Sequence, residues 1–176
     1  LVVVAVPQHI ANTWLENPQQ ILRKQTATFV FEAEQSPLDK PRLLLNREYA
    51  QEEQNILHVH VPTLLHPSSK HLIVATVVGE IASEHRKKAV QNSIHEELGQ
   101  WFGEVASSWK LVGTTHVDYA LPSGSVTAKG RERMELVHDG VHYIGDHTTH
   151  PSVHGTLRSV ERLLERLEIP LPLESS

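Results

Sequence analysis

One stretch decides how this chain folds: Tyr143-Ile-Gly-Asp-His-Thr-Thr-His-Pro-Ser-Val-His-Gly-Thr-Leu-Arg-Ser-Val-Glu-Arg162. It passes from a short apolar strand through a polar turn into an amphipathic helix. Gly145 and Asp146 lie in the turn, and Gly155 falls in the first turn of the helix. A helix start offers unpaired backbone N–H groups and the positive end of the helix dipole. The stretch therefore predicts a place where a polar cofactor can approach the backbone.

The rest of the chain has the pattern of several strands around one long helix. Leu1–Val6 is fully apolar and ends at Pro7, which is typical of a buried strand. The predicted strands are 1–6, 26–34, 43–46, 56–61, 72–78, 109–119 and 141–144. The predicted helices are a short one within 8–22 that is broken at Pro18, a long one at 83–102 and one at about 152–168, and an exposed loop or irregular segment is predicted at 124–135. The last helix carries an apolar stripe of Val153, Leu157, Val160, Leu164 and Leu167. This order of elements indicates an α/β or α+β fold.

The composition excludes several classes of function. The formal net charge is −5 and the longest basic run is Arg86–Lys88, so nucleic acid is not an expected partner. The absence of cysteine excludes disulfides, thiolate nucleophiles and Cys-zinc sites. No apolar run is long enough to span a bilayer. We expect a soluble chain and leave its compartment open, since cytoplasm and a plastid-like stroma both suit it.

The quoted stretch also resembles a known cofactor-binding segment. The matching residues are Gly145, Asp146, Thr148, Gly155, Thr156 and Ser159. They are similar to the C-terminal FAD-binding segment of the flavin-containing amine oxidase and phytoene desaturase superfamily, although Val160 stands where a second glycine is most common. Segments 1–7, 28–31, 43–46, 71–79 and 119–122 also follow in the order of desaturase-like members. The resemblance therefore covers nearly the whole chain.

One hallmark of that superfamily is missing. Its members open with a strand, a Gly-x-Gly-x-x-Gly fingerprint and an acidic residue about twenty positions later. The chain has no such fingerprint and starts at Leu1, inside an apolar strand. We interpret it as the C-terminal part of a longer flavoprotein, or as one subunit of a divided one, whose partner is an N-terminal FAD-binding half.

The resemblance implies a division of the chain into three parts. Residues 1–7 would form the strand that links to the FAD-binding domain, and 8–135 the substrate-binding region. Residues 136–176 would form the C-terminal strand and helix that contact FAD. The implied fold is a mixed-sheet substrate domain plus the terminal strand-helix unit of a Rossmann-like FAD-binding domain.

The resemblance also implies five cofactor-binding residues: Gly145, Asp146, Val153, His154 and Gly155. Asp146 would contact the ribityl or pyrophosphate region of FAD, and hydroxyls are its favoured partners because a carboxylate repels phosphate. The backbone N–H groups of 153–155 would face the flavin pyrimidine edge. The alternatives are an Asx-turn or helix cap for Asp146 and simple helix packing for Gly155.

Tyr119 is the one candidate substrate-binding residue. It belongs to the segment Tyr119–Pro122, which resembles the part of the superfamily that passes near the flavin and the substrate cavity. The alternative is a buried structural tyrosine. No catalytic side chain and no metal ligand is assigned.

Three hypotheses of function follow. The first is a flavin-dependent oxidoreductase that moves a hydride from a C–H bond of an apolar or amine substrate to FAD. The second is a metal-binding enzyme or module that uses His147, His150 and His154, whose spacings are three and four. The third is a non-catalytic subunit that retains the fold and lacks flavin.

Overall fold

A computed structural model gives the fold. It describes residues 1–15, 23–49, 55–65, 70–79, 81, 83–122, 137–138 and 140–170, and residues 121–122 and 137–138 by their backbone only. The strands are β1 Val2–Val4, β2 Arg23–Ala33, β3 Leu43–Leu45, β4 Ile56–His60, β5 His71–Gly79, β6 Lys110–Pro122, β7 Val137–His138 and β8 Val141–Tyr143. The helices are α1 Gln8–Ala11, α2 Glu84–Phe102 and α3 Val153–Arg166.

The chain divides into two compact units. The terminal unit comprises Leu1–Arg23 and Leu121–Ser176, and the central unit comprises Lys24–Ala120. The terminal unit therefore joins both ends of the sequence, with the central unit inserted between them. The predicted irregular segment 124–135 lies outside the described residues, as does the predicted helix break at Pro18.

The central unit contains a five-stranded sheet with the order β3-β4-β5-β2-β6. The β2–β5, β3–β4 and β4–β5 pairs are antiparallel. Alternation along β2 buries one face, which consists of Ala27, Phe29, Phe31 and Ala33. The predicted central strand is confirmed as β5, which places Ile73, Ala75 and Val77 in the same core.

Helix α2 contributes its apolar stripe to that core. Ser83 caps the helix by accepting a hydrogen bond from the backbone N–H of Arg86, at 3.1 Å. Val90, Ile94 and Leu98 are buried at intervals of four residues, as their spacing predicts. These side chains and the buried sheet face form one continuous apolar cluster.

Glu97 is a buried charged residue on the same helix. Its carboxylate accepts hydrogen bonds from the backbone N–H groups of Asn55, at 2.9 Å, and of Ile56, at 2.8 Å. The carboxylate therefore satisfies backbone N–H groups at the start of β4.

The terminal unit contains a smaller, mixed sheet with the order β1-β8-β7. β1 and β8 are parallel, with Val2 opposite Val141 and Val4 opposite Tyr143, whereas β7 and β8 are antiparallel. Helices occur together with parallel and antiparallel strand pairs, which confirms the predicted α/β (α+β) class. The parallel pair lies in this small sheet, whereas the pairs named above in the larger sheet are antiparallel.

Two predictions of burial in the terminal unit are wrong for this chain. Val2 and Val3 of β1 are 56% and 40% exposed, although the apolar run predicted a buried strand. On α3, Val153 and Leu157 of the predicted apolar stripe are exposed as well. A periodic pattern shows which face a helix or strand can bury, but burial needs a partner surface.

Helix α3 instead buries a different row of residues, two of which are small. Gly155, Ser159 and Leu163 recur at intervals of four and are its buried positions. Ser152 caps the helix by accepting a hydrogen bond from the backbone N–H of Gly155. The helix bounds agree with the predicted range of about 152–168. No helix in the described part of the chain is long and apolar enough to cross a membrane.

Candidate cofactor site

Strand β8 ends in a turn whose first residue must be glycine. Gly145 has a φ of 149°, a region that other residues rarely adopt. A Cβ at this position would also lie 2.7 Å from the ring of His147. The backbone N–H of Gly145 donates to Ser159 Oγ at 3.0 Å, which joins the turn to α3.

Backbone and hydroxyl hydrogen bonds hold the rest of the turn. Residues Asp146–Thr148 form one turn of 3₁₀ helix. Thr148 donates to the carbonyl of Gly145 through both its backbone N–H and its hydroxyl, at 3.1 and 2.8 Å. The hydroxyl of Thr149 donates to the carbonyl of Gly155. The turn and the start of α3 therefore form one connected structure.

Asp146 presents an accessible carboxylate on this turn. Its side chain is 35% exposed, and Oδ1 lies 3.8 Å from Nδ1 of His147. Gly145, and not Asp146, occupies the N-cap position of the short 3₁₀ turn. Among the described contacts, no backbone N–H donates to the Asp146 carboxylate, so the Asx-turn and helix-cap alternatives find no support. The carboxylate is left open to a ligand.

His147 is buried directly behind that carboxylate. Its side chain is only 2% exposed, and burial lowers the pKa of the imidazole below its ordinary value, with Asp146 opposing the shift. Within the described part of the chain, neither ring nitrogen has a hydrogen-bond partner. His147 is therefore a neutral packing residue beneath Gly145, a role that no sequence pattern had signalled.

Gly155 is required for packing within the chain. A Cβ there would lie 1.9 Å from the carbonyl oxygen of His150. Its backbone N–H already donates to the Ser152 hydroxyl, at 3.0 Å. The glycine lets α3 begin against the preceding loop, whereas its predicted role toward a cofactor stays a prediction.

The first two residues of α3 face outward. Val153 is 81% exposed and His154 is exposed as well. Helix geometry gives their backbone N–H groups no acceptor within the helix, and the dipole makes this end positive. The arrangement can therefore accept negative charge or carbonyl oxygens from a ligand.

The turn thus brings Gly145, Asp146 and the start of α3 together, whereas Tyr119 belongs to the other unit. Tyr119 is on β6 in the central unit and is 43% exposed, so it is not the buried structural tyrosine of the alternative reading. Ser152 and Ser159, which hold the turn and the helix start in place, were not predicted as structural residues. A serine before a helical pattern is the signal that could have identified Ser152.

The three clustered histidines do not converge on a metal. His147 is buried, His150 is exposed with Nδ1 3.1 Å from the Ser152 hydroxyl, and His154 is exposed on α3. Among the residues that the structure describes, no group of three or more histidines and carboxylates could hold a metal ion. The metal-binding hypothesis therefore finds no support in the described geometry.

Comparison with known proteins gives matches to solved structures. No family model and no curated protein matches the chain. An oxidoreductase from Methanosarcina mazei is 14% identical, with a TM-score of 0.61 over 94% of this chain and 42% of that one. A protein assigned as a protoporphyrinogen oxidase from Exiguobacterium sp. is 16% identical, with a TM-score of 0.68 over 96% and 41%. A variant of putrescine oxidase is 16% identical, with a TM-score of 0.53 over 96% and 42%.

The three matches agree in how much of each protein they cover. Nearly all of this chain aligns, but it spans only about two fifths of the length of each solved structure. At 14–16% identity the likeness shows a shared fold and nothing finer.

Proposed function

We propose that this chain is the C-terminal part of a flavin-dependent oxidoreductase and that the turn from Gly145 to the start of α3 contacts FAD. The observation that carries the proposal is the open Asp146 carboxylate on the same turn as the exposed helix start at Val153 and His154. The fold shared with known oxidoreductases supports it. In this proposal the parts 1–7 and 136–176 belong to the FAD-binding domain, and 8–135 form the substrate region.

The donors and acceptors of the turn suit different parts of the cofactor. A carboxylate repels phosphate, so the ribityl hydroxyls are the expected partners of Asp146. The backbone N–H groups of Val153 and His154 lie at the positive end of the dipole of α3, which suits contact with the pyrimidine edge of a flavin. That edge gains negative charge on reduction, so the helix start would favour the reduced cofactor and raise its potential.

Gly145 and Gly155 would act by shaping the site. Both positions forbid a side chain because the chain itself fills the space, with the His147 ring at one and the His150 carbonyl at the other. Their role in cofactor binding would be to keep Asp146 and the helix start at a fixed separation. The histidine ring beneath Gly145 adds stiffness to the same turn.

The chemistry would come from the cofactor. When bound, FAD accepts a hydride at N5 from a C–H bond of the substrate, and oxygen, a quinone or another acceptor then removes the electrons. An apolar or amine substrate is proposed, with the half-exposed Tyr119 as a candidate contact. The chain would position the flavin and substrate and would be inactive alone.

The proposed partner is an N-terminal FAD-binding half, on the same polypeptide or on another subunit. The matched structures are more than twice as long as the aligned part, which supports a missing half. The exposed apolar strand β1 and the exposed residues Val153 and Leu157 of α3 give such a partner surfaces to cover. Parallel sheets are normally covered on both faces, whereas Val2 and Val3 of β1 are exposed.

Replacing Asp146 tests the proposal. In the complete flavoprotein we expect Asp146→Ala to weaken FAD binding at least about tenfold, as the loss of a hydrogen bond to a charged group predicts. Asp146→Asn should show a smaller loss. Asp39→Ala is the matched control, because Asp39 is exposed in the central unit and faces Arg42. An unchanged FAD dissociation constant in the folded Asp146→Ala protein would refute the role of this carboxylate.

A further inference from the structure

A small cavity lies between β8 and α3, within the terminal unit. Its volume is about 40 Å³, which exceeds the roughly 10–15 Å³ that one water molecule needs. The residues that decide its chemistry are His142, Thr148, Thr149, Ser159, Arg162 and Arg166. Three of these side chains are basic, and no carboxylate is among the described residues that line the cavity.

Arg162 is the principal charge of the cavity. It is half-buried on α3 and makes no ion pair with any residue of the described chain. Arg158, one turn earlier, is exposed and pairs with Glu161 at 2.8 Å. Arg166 follows Arg162 by four residues and so adds a second guanidinium on the same side of the helix. A half-buried guanidinium without a counterion favours an anion beside it.

The other polar groups reinforce this preference. Nδ1 of His142 is buried and has no hydrogen-bond partner among the described residues. The hydroxyl protons of Thr148, Thr149 and Ser159 are donated to backbone carbonyls. The side-chain donors left to serve an occupant are therefore the Arg162 guanidinium and, in one tautomer, the His142 imidazole, both of which need an acceptor.

We propose that this cavity binds a small oxyanion, a phosphate or carboxylate group, held by Arg162 and His142. A planar guanidinium matches two oxygens of either group, and the imidazole supplies a further donor. The group could belong to free phosphate or to an acidic side chain of the complete protein. Thr148 and Thr149 of the Gly145–Thr149 turn line the site, so its occupant would stabilise that turn. This inference stands apart from the FAD proposal.

Titration of flavin-free protein with inorganic phosphate and with acetate tests the site. Calorimetry at constant ionic strength, kept with sodium chloride, should show saturable binding of one equivalent. Arg162→Gln and His142→Phe should each weaken the dissociation constant about tenfold or more. Arg158→Gln is the matched control, since that arginine is one turn away and does not line the cavity, and it should leave binding unchanged.

The outcomes separate the sources of the anion. Binding of phosphate but not acetate identifies a phosphate site, and binding of both identifies a site that also takes carboxylate side chains. The proposal is overturned if the unmodified protein binds neither anion, or if Arg158→Gln weakens binding as much as Arg162→Gln. Because the titration uses no flavin, a failure here leaves the Asp146 experiment unaffected, and the reverse also holds.

Discussion

The two units of this chain bury their apolar side chains to different degrees. In the central unit, Phe29, Phe31 and Ile94 are fully buried within one continuous core. In the terminal unit, the apolar cluster consists of Ala11, Leu15 and Tyr143 with a few half-buried neighbours. That unit leaves Val2 and Val153 exposed, at 56% and 81%. The central unit exposes apolar side chains too, such as Leu45 at 70%, so the units differ in their cores. The central unit has a continuous core, whereas few apolar side chains of the described terminal unit are buried.

The strongest test of this difference between the units is to remove one large apolar side chain from each of them. Phe31→Ala should reduce the free energy of unfolding by about 3–5 kcal/mol, because it opens a cavity in a closed core. Leu157→Ala, at a site that is 58% exposed, should change it by less than about 0.5 kcal/mol. Urea unfolding of both variants measures the difference. Equal losses would show that the terminal unit is as closed as the central one.

A substitution that adds a single carbon should damage the terminal unit almost as much. In Gly155→Ala the new Cβ would lie 1.9 Å from a backbone oxygen, so the start of α3 must shift. We expect a loss of about 3 kcal/mol, at the upper end of overpacking effects.

Gly99→Ala is the control for that substitution. Gly99 lies on α2, and a Cβ there meets nothing within 4 Å. The control should be neutral or slightly stabilising, because alanine favours a helix over glycine. Amide hydrogen exchange would assign each effect to its unit, and a Gly155→Ala protein as stable as the control would contradict the tight contact.

Buried polar contacts in the central unit offer a third test. Glu97→Ala removes the acceptor for two backbone N–H groups and should cost about 2–3 kcal/mol. Glu96→Ala replaces its exposed neighbour on the same helix and should have almost no effect. Thermal unfolding of the two variants measures the contrast. A much smaller loss of stability in Glu97→Ala would mean that water can accept the two N–H hydrogen bonds in place of the carboxylate.

The helix caps allow a matched comparison between the units. Ser152 and Ser83 each accept a hydrogen bond from the backbone N–H three residues later, at 3.0 and 3.1 Å. Replacing either serine by alanine should cost about 1 kcal/mol. Ser152→Ala should also increase amide exchange in the Gly145–Thr149 turn, whereas Ser83→Ala should not. If amide exchange in that turn increased in both variants, the effect would not be specific to the cap of α3.

The smallest expected effect concerns pH. Burial lowers the pKa of His147 below that of the unfolded chain, so the unfolded chain binds a proton first as the pH falls. The contribution of His147 is complete above a pH of about 6.5 and is lost progressively below it. Unfolding between about pH 7.5 and 5.5 should show less pH dependence in His147→Phe than in the unmodified protein. An identical slope would indicate that folding leaves the pKa of His147 unchanged.

Local patterns predicted much of the fold. The side chains of Ala27, Phe29 and Phe31 alternate along the sequence of β2, and Val90, Ile94 and Leu98 recur at helical spacing; the structure buries both sets. The predicted starts of both long helices, at residue 83 and at about residue 152, lie one residue before the observed starts at Glu84 and Val153. These features depend on backbone geometry and on residues a few positions apart, so a single sequence is enough to predict them.

The candidate site was predicted in part. The sequence pointed to the turn at Gly145 and Asp146, but it did not reveal that His147 is buried beneath that turn or that Ser159 holds it from α3. It did not distinguish the two readings of Gly155 either, because a glycine at a helix start serves packing and ligand approach equally well. Such distinctions depend on residues ten or more positions apart.

The sequence by itself determined the order of strands and helices, the position of the turn and the apolar face of α2. Only the tertiary structure decided that α3 buries Gly155, Ser159 and Leu163 while Val153 and Leu157 remain exposed. It also decided that β1 stays open although every one of its residues is apolar. The physical reason is that periodicity reports what a face could bury, whereas burial itself requires a second surface in contact with it.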